Sequence, residues 1–361
     1  MRRLLISAVL VTAAAIGADA VGGAIGLTPV AGSAVTQDRQ RIVAIGDVHG
    51  AADGFAAILT AAGLIDANKQ WIGGRTILVQ TGDVTDRGAG TRAALDLLMS
   101  LEKQAAKAGG RVHALLGNHE VMNITGHLRD ATPEIFASFG GEAAMREAFG
   151  PDGQYGRWLR SKPMIASIDG TIFMHAGISP EESTQSINEL NGRVKRDLEQ
   201  WDAGVRLLQK RKLAPEPTEF MQAVTAARTE IERLNATVAT GKVPDDAQQV
   251  VAALLPVANV GLSALFAPEG PLWFRGYATW TDEEGAPQVA ALLKRYRARR
   301  FVSGHSPQIG GRITERFGGT MFLIDTGMLG EPFFPGGRPS ALVIENDAAR
   351  PLYVTDRKQL P

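Results

Sequence analysis

Three short glycine-led runs recur at the interval of one strand–helix unit, and they restrict what this chain can fold into more than any other feature. They are Gly46-Asp47-Val48-His49-Gly50, Gly82-Asp83-Val84-Thr85-Asp86-Arg87-Gly88 and Gly117-Asn118-His119-Glu120. Each follows a short apolar stretch, at 41–46, 75–80 and 111–116. Asp47 and Asp83 stand 36 positions apart, and Asp83 and Asn118 stand 35 apart, the length of one βα unit. Between the runs, 51–64 and 91–108 read as helices. Strands alternating with helices imply a parallel sheet with right-handed crossovers. Asp47, Asp83 and Asn118 then share the carboxyl edge of that sheet, where open α/β folds place their sites.

Two further histidines end strands in the same way. A hairpin over 163–168 and 171–174, turned at Asp169-Gly170, runs into His175, and a strand over 300–303 runs into His305. Further strands are expected at 321–324, 341–345 and 352–355, the last two joined by Asn346-Asp347. The stretch 181–267 reads as helical. Ile187, Leu190, Val194, Leu198, Trp201, Val205 and Leu208 recur every three or four residues, as do Phe220, Val224, Ala227, Ile231, Leu234 and Val238. Pro215 and Pro217 divide the two runs, so an antiparallel helical hairpin is expected, inserted in the α/β domain as a cap or as a lid.

Composition narrows the classes. The formal net charge is zero, from 38 Lys and Arg against 38 Asp and Glu, which excludes the broad basic footprint of a nucleic-acid binder. The absence of cysteine removes disulfides, thiolate metal sites and cysteine nucleophiles. Arg2 and Arg3, an uncharged apolar run over 4–18, and Ala18-Asp19-Ala20 read as a secretory signal peptide over 1–20. The uncharged stretch to 37 is expected to be a linker or anchor, but Asp19, Gly22, Gly23, Gly26 and Pro29 interrupt it. A spanning helix needs about 20 predominantly apolar residues. The expectation is export to a periplasm, with no stable membrane span after cleavage and with membrane tethering if the signal is retained.

One sheet edge thus gathers two carboxylates, an amide and several imidazoles. Like charges at short range cannot all stay ionised, and a pair of metal ions would neutralise them. Oxygen and nitrogen donors without sulfur suit Mn, Fe or Zn. Glu120 reads as a carboxylate that orients a metal-site imidazole, His113 as a structural histidine inside a strand, and His127 as an exposed loop residue. Trp273 reads as pocket wall or as packing.

The ordered series Gly-Asp-x-His-Gly, Gly-Asp-x-x-Asp-Arg-Gly, Gly-Asn-His-Glu, a single His and Gly-His resembles the metallophosphoesterase superfamily. Asp86-Arg87-Gly88 resembles its phosphoprotein-phosphatase-like branch. Three runs are similar to the Shewanella-like protein phosphatases: Gly117-Asn118-His119-Glu120-Val121-Met122-Asn123, Pro271-Leu272-Trp273-Phe274-Arg275-Gly276 and Asp325-Thr326-Gly327-Met328. The resemblance covers about 42–344 and implies an α/β fold, a calcineurin-like αββα two-sheet sandwich over 41–357 with the helical insertion at 181–267. It implies two divalent or trivalent ions. Asp47, His49 and Asp83 would hold the first; Asp83, Asn118, His175 and His305 would hold the second. His119 would be the general acid, oriented by Asp86, while Arg87, Arg275 and Asn118 would touch the substrate. Eukaryotic relatives carry Arg just before Gly-Asn-His-Glu; Leu116 stands there, which removes one family phosphate contact. The implied activity is phosphomonoester hydrolysis by direct attack of metal-held hydroxide, on a phosphorylated protein or small molecule, with phosphoprotein or phosphotyrosine as what the family suggests. The alternatives are a nucleotide or dinucleoside polyphosphate hydrolase and a catalytically silent metal-bearing binding protein.

Overall fold

The computed structural model describes residues 40–240 and 243–354. The expected signal peptide, the stretch to 37, the side chain of Val238, the last residue of the expected strand at 352–355 and the domain limit at 357 lie outside the described residues. The chain lays down β1 (Ile42–Ile45), β2 (Ile77–Gln80) and β3 (Arg111–Ala114), then β4 (Ile165–Ile168), β5 (Thr171–Met174) and β6 (Arg300–Ser303). It continues with β7 (Thr314–Arg316) and β8 (Met321–Leu323), and returns with β9 (Ser340–Glu345) and β10 (Ala348–Tyr353). Two five-stranded sheets result, in the orders β10-β9-β1-β2-β3 and β4-β5-β6-β8-β7. The three motif-bearing strands run parallel, with Val43 opposite Leu78 and Leu78 opposite Val112.

Side-chain alternation explains why the two sheets stack. Ile42, Ala44, Ile77 and Val79 of one sheet form a core layer with Phe173, Val302, Phe322 and Ile324 of the other. Val43, Ile45 and Leu78 face the other way, into a core they share with helix residues such as Phe55, Leu95 and Leu98. Strands buried on both faces read as continuous apolar runs, as 42–45 does. The architecture is the expected αββα sandwich. Among the described residues, no helix is long and apolar enough to cross a membrane.

The helices in order are α1 (Ala52–Ala61), α2 (Thr91–Lys107), α3 (Asn118–Ile124), α4 (Pro133–Phe139), α5 (Glu142–Phe149) and α6 (Gln154–Arg160). There follow α7 (Ile187–Lys210), α8 (Phe220–Thr240), α9 (Ala247–Ala258), α10 (Gly276–Thr279) and α11 (Asp282–Tyr296). Here the expected helical hairpin is corrected to three helices. The stripes of α7 and α8 are buried as read, through Leu190, Val194, Leu198, Trp201, Phe220, Val224 and Leu234. The third helix, α9, has Val250, Val251, Ala252, Ala253, Leu254 and Leu255 in one unbroken run, so no helical period shows. Both short turns hold as hairpins: Asp169 and Gly170 have φ of 47° and 71°, and Asn346 and Asp347 have 50° and 68°, as a primed turn requires.

Candidate metal centre

Three loops leave the carboxyl ends of β1, β2 and β3, and the first two are stitched together by backbone hydrogen bonds. The amides of Val48 and His49 both donate to the carbonyl of Asp83 at 2.9 Å, and Gly50 N donates to Val84 O at 2.9 Å. The approach is so close that a Cβ on Gly50, where φ is +70°, would lie 2.1 Å from the carbonyl oxygen of Gly88. His49, Asp83, Asp86, Arg87 and His305 all sit at positive φ, between 46° and 71°. Non-glycine residues rarely adopt this region without a surrounding structure that enforces it.

The tautomers of three imidazoles are fixed by carbonyls, which only accept. His49 Nδ1 faces Thr85 O at 3.1 Å, His175 Nδ1 faces Thr81 O at 2.9 Å, and His305 Nε2 faces Trp273 O at 3.1 Å. The protons therefore sit on those atoms, and His49 Nε2, His175 Nε2 and His305 Nδ1 present bare lone pairs. His175 Nε2 lies 2.9 Å from Asn118 Oδ1, 3.1 Å from His305 Nδ1 and 3.4 Å from Asp83 Oδ1. His49 Nε2 lies 3.7 Å from Asp83 Oδ2 and 3.9 Å from Asp47 Oδ2. All six residues expected to bear metal are thus brought together, and Asp83 faces both groups.

This donor set fits a cation. Two imidazole lone pairs 3.1 Å apart, with no proton left to place between them, repel unless a positive ion shares them. Asp47, Asp83, Glu120 and Asp325 are all buried. Burial, then Asp325 and Asp83, push the Asp47 carboxyl well up. Asp83 goes the other way: burial would raise it, but the protonated His119 beside it helps hold it well below the usual range. Burial lowers His49 to about 3, leaving it neutral, the form that binds metal.

The remaining expected residues divide. His119 Nδ1 lies 2.8 Å from Asp86 Oδ2, and its Nε2 points inward, 3.9 Å from Asp83 Oδ2 and 3.3 Å from Arg87 Nη2. Arg275 is exposed and donates to His305 O and Ser306 Oγ at 3.0 and 3.2 Å, so it approaches from the His305 side. Leu116 is buried. His113 is half-buried in β3, as expected. His127 is not an exposed loop residue: it is half-buried and stacks on Phe220 of α8 at 4.6 Å, because the insertion packs over that loop. Trp273 accepts from His305 through its carbonyl and sets its ring edge-on to the imidazole at 6.2 Å.

Glu120 does not orient an imidazole. Its carboxylate accepts from the amides of Asp83, Val84, Thr85 and Gly117 at 2.7–3.1 Å and from the Thr85 hydroxyl at 3.0 Å. It holds the β2 loop against the start of α3. Asn123, unflagged by sequence, donates at 3.0 Å to Asp86 Oδ1; its place one turn after His119 was the available signal. Asp325 was seen only as part of a motif. Its Oδ1 accepts from Gly327 N at 2.9 Å, while its buried Oδ2 has no hydrogen-bond partner among the described residues.

Asp325 carries a test of the charge argument. Burial, with Asp83, raises its carboxyl from 3.8 to about 6. An acid raised on folding costs stability above its folded pKa and nothing below its unfolded pKa. In chelator at pH 7, Asp325→Asn should therefore raise the unfolding free energy by roughly 2–3 kcal/mol. The gain should vanish near pH 4, and also at pH 7 in excess Mn²⁺ or Zn²⁺. Urea titrations in chelator and in metal read this directly. A loss of stability in chelator at pH 7 would contradict the argument.

Comparison with known proteins places this arrangement among others. A family model described as calcineurin-like phosphoesterase matches residues 40–308. An uncharacterised protein of Schizosaccharomyces pombe is 32% identical across 85% of this chain and 78% of its own length. Shewanella-like protein phosphatase 1 of Plasmodium berghei is 26% identical across 89% of this chain and 76% of its own. Among solved structures, the cold-active protein-tyrosine phosphatase of a psychrophilic Shewanella species superposes with a TM-score of 0.62. It is 25% identical and covers 88% of this chain and 81% of that one.

Proposed function

Because the chain belongs to the calcineurin-like phosphoesterase family, we propose that it is a metal-dependent phosphatase of phosphomonoesters, with phosphotyrosine or phosphoprotein as the substrate class. The relatives named as protein and tyrosine phosphatases, which align over most of this chain, support that class. The observation that carries the reading is the His119–Asp86 pair, 2.8 Å apart beside the donor groups. A leaving oxygen needs a proton, and a carboxylate-held imidazole facing the reaction centre is suited to give one. Mere metal binding would not call for it.

Asp47, His49 and Asp83 would hold one ion, and Asp83, Asn118, His175 and His305 another. Two ions bound there supply Lewis acidity toward the phosphoryl oxygens and make water acidic enough to react near neutral pH. The protein's own residues do the rest. Arg87 and Arg275 approach from opposite sides and offer guanidinium forks to a dianionic monoester. Arg87 only donates, so it can bond His119 Nε2 only while that atom is unprotonated. A phosphate that draws the guanidinium away frees Nε2 to carry the proton. Export, read from residues 1–20, is part of this proposal.

Elemental analysis of purified protein, run beside a panel of aryl phosphate, phosphopeptides, mononucleotides and dinucleoside polyphosphates, tests it. The expected result is bound Mn, Fe or Zn with hydrolysis of aryl phosphate and phosphotyrosine peptide. Cleavage confined to dinucleotides would favour the nucleotide reading, and no turnover with metal bound would favour a binding protein.

A further inference from the structure

The geometry points to Phe334 as a positioning residue that holds Arg87 in place for phosphate. The inference rests on the reading of Arg87 as a phosphate contact, but not on turnover. The Phe334 ring lies under the Arg87 guanidinium, 5.2 Å from centroid to Cζ, and stacks nearly parallel on His49 at 5.6 Å. Among the described residues no carboxylate forms an ion pair with Arg87, and its guanidinium meets the Phe334 ring and the His119 imidazole.

The loop after β8 is built to deliver this ring. Its base is closed by Thr326 and Arg338, which exchange bonds of 2.8 and 3.2 Å. Within it, Gly330 N donates to Gly327 O, Phe334 N to Gly330 O and Gly337 N to Phe334 O, all at 2.8–2.9 Å. Gly327 has φ of +62°, and a Cβ there would stand 2.5 Å from the Cβ of Phe334. Only glycine lets the ring fold inward. Phe334 is accordingly 9% exposed while its neighbour Phe333 is 47% exposed. Asp325 anchors the same loop through Gly327 N, which gives the Asp325-Thr326-Gly327-Met328 run a physical purpose.

A guanidinium over an aromatic face is attracted by the ring's quadrupole and loses freedom to wander. In metal-loaded protein, Phe334→Leu keeps apolar bulk and removes the ring. It should weaken the binding of inorganic phosphate, read by calorimetry, about fivefold to tenfold. KM for an aryl phosphate should rise by the same factor, with kcat within about twofold. Phe334→Tyr should restore both. In an Arg87→Ala background, Phe334→Leu should change phosphate affinity by less than about twofold. Additive losses in that cycle, or loss of metal from Phe334→Leu by elemental analysis, would overturn the inference, because the ring would then act through His49 or the fold. If the parent protein hydrolyses no monoester, the phosphatase reading fails, while phosphate affinity still decides the role of Phe334.

Discussion

Alanine in place of His119 should lower turnover about 10²–10⁴-fold, the usual contribution of a positioned general acid, with metal content unchanged. The imidazole is held from several sides. Asp86 Oδ2 meets Nδ1 at 2.8 Å, and Asn123 Nδ2, with two protons to give, lies 3.0 Å from Asp86 Oδ1, 3.0 Å from Thr85 Oγ1 and 2.9 Å from His119 O. Such bracing serves an orientation, not bulk. If His119 supplies a proton, its loss matters most where the leaving group is most basic. The deficit should be larger for phenyl phosphate, whose phenol is as weak an acid as tyrosine (pKa about 10), than for nitrophenyl phosphate. An equal deficit for both, or metal lost together with rate, would assign His119 another role.

The pH profile follows with a definite sign. Burial pushes the imidazole down, but Asp83 and Asp86 outweigh it and raise it to about 9. At neutral pH the imidazole therefore has a proton to give; a bound ion would share the Asp83 charge and draw this value down, so rate should fall along an alkaline limb at or below about 9. Asp83 shares its charge with any bound ion, whereas Asp86 is hydrogen-bonded to His119 and Asn123. Asp86→Asn should then move the alkaline limb toward lower pH, and a limb that stays in place would mean another group sets it.

Much of this was legible in the amino-acid order, and for a physical reason. Asp47, Asp83 and Asn118 are set by the ends of neighbouring parallel strands, so a spacing rule locates them. The hairpin turns at Asp169-Gly170 and Asn346-Asp347 need φ above zero, and residues tolerant of it mark them. What stayed hidden depends on partners that spacing does not reveal. Glu120 was legible as a carboxylate near the site, but its partners are amides, and amides leave no trace in residue type. His305 N donates to Asp47 Oδ1 across 258 positions, and Phe334 reaches Arg87 only because the β8–β9 loop folds inward. β7, Thr314-Glu315-Arg316, is a short edge strand with no apolar alternation to betray it. The position of His127 depended on where α8 would lie.

The largest effect is expected at Asp83, because among the described residues it alone faces both groups of donors, with His49 Nε2 3.7 Å from its Oδ2 and His175 Nε2 3.4 Å from its Oδ1. Its Oδ1 also accepts from His119 N at 3.0 Å, which fixes the start of α3 against the same donors. Asparagine keeps that shape and acceptor but removes the charge that would draw two cations together. Asp83→Asn should bind almost no metal and lose on the order of 10⁴-fold or more in turnover. His49→Ala provides the contrast: it empties one donor group and leaves Asp83, Asn118, His175 and His305 intact, so about one ion per chain should remain against about two in the parent. Folding of the variants is read separately by urea titration in chelator. Calorimetric titration with Mn²⁺ or Zn²⁺ distinguishes the cases. Full metal content in Asp83→Asn would mean that the remaining donors suffice and that the shared carboxylate is not what pairs the ions.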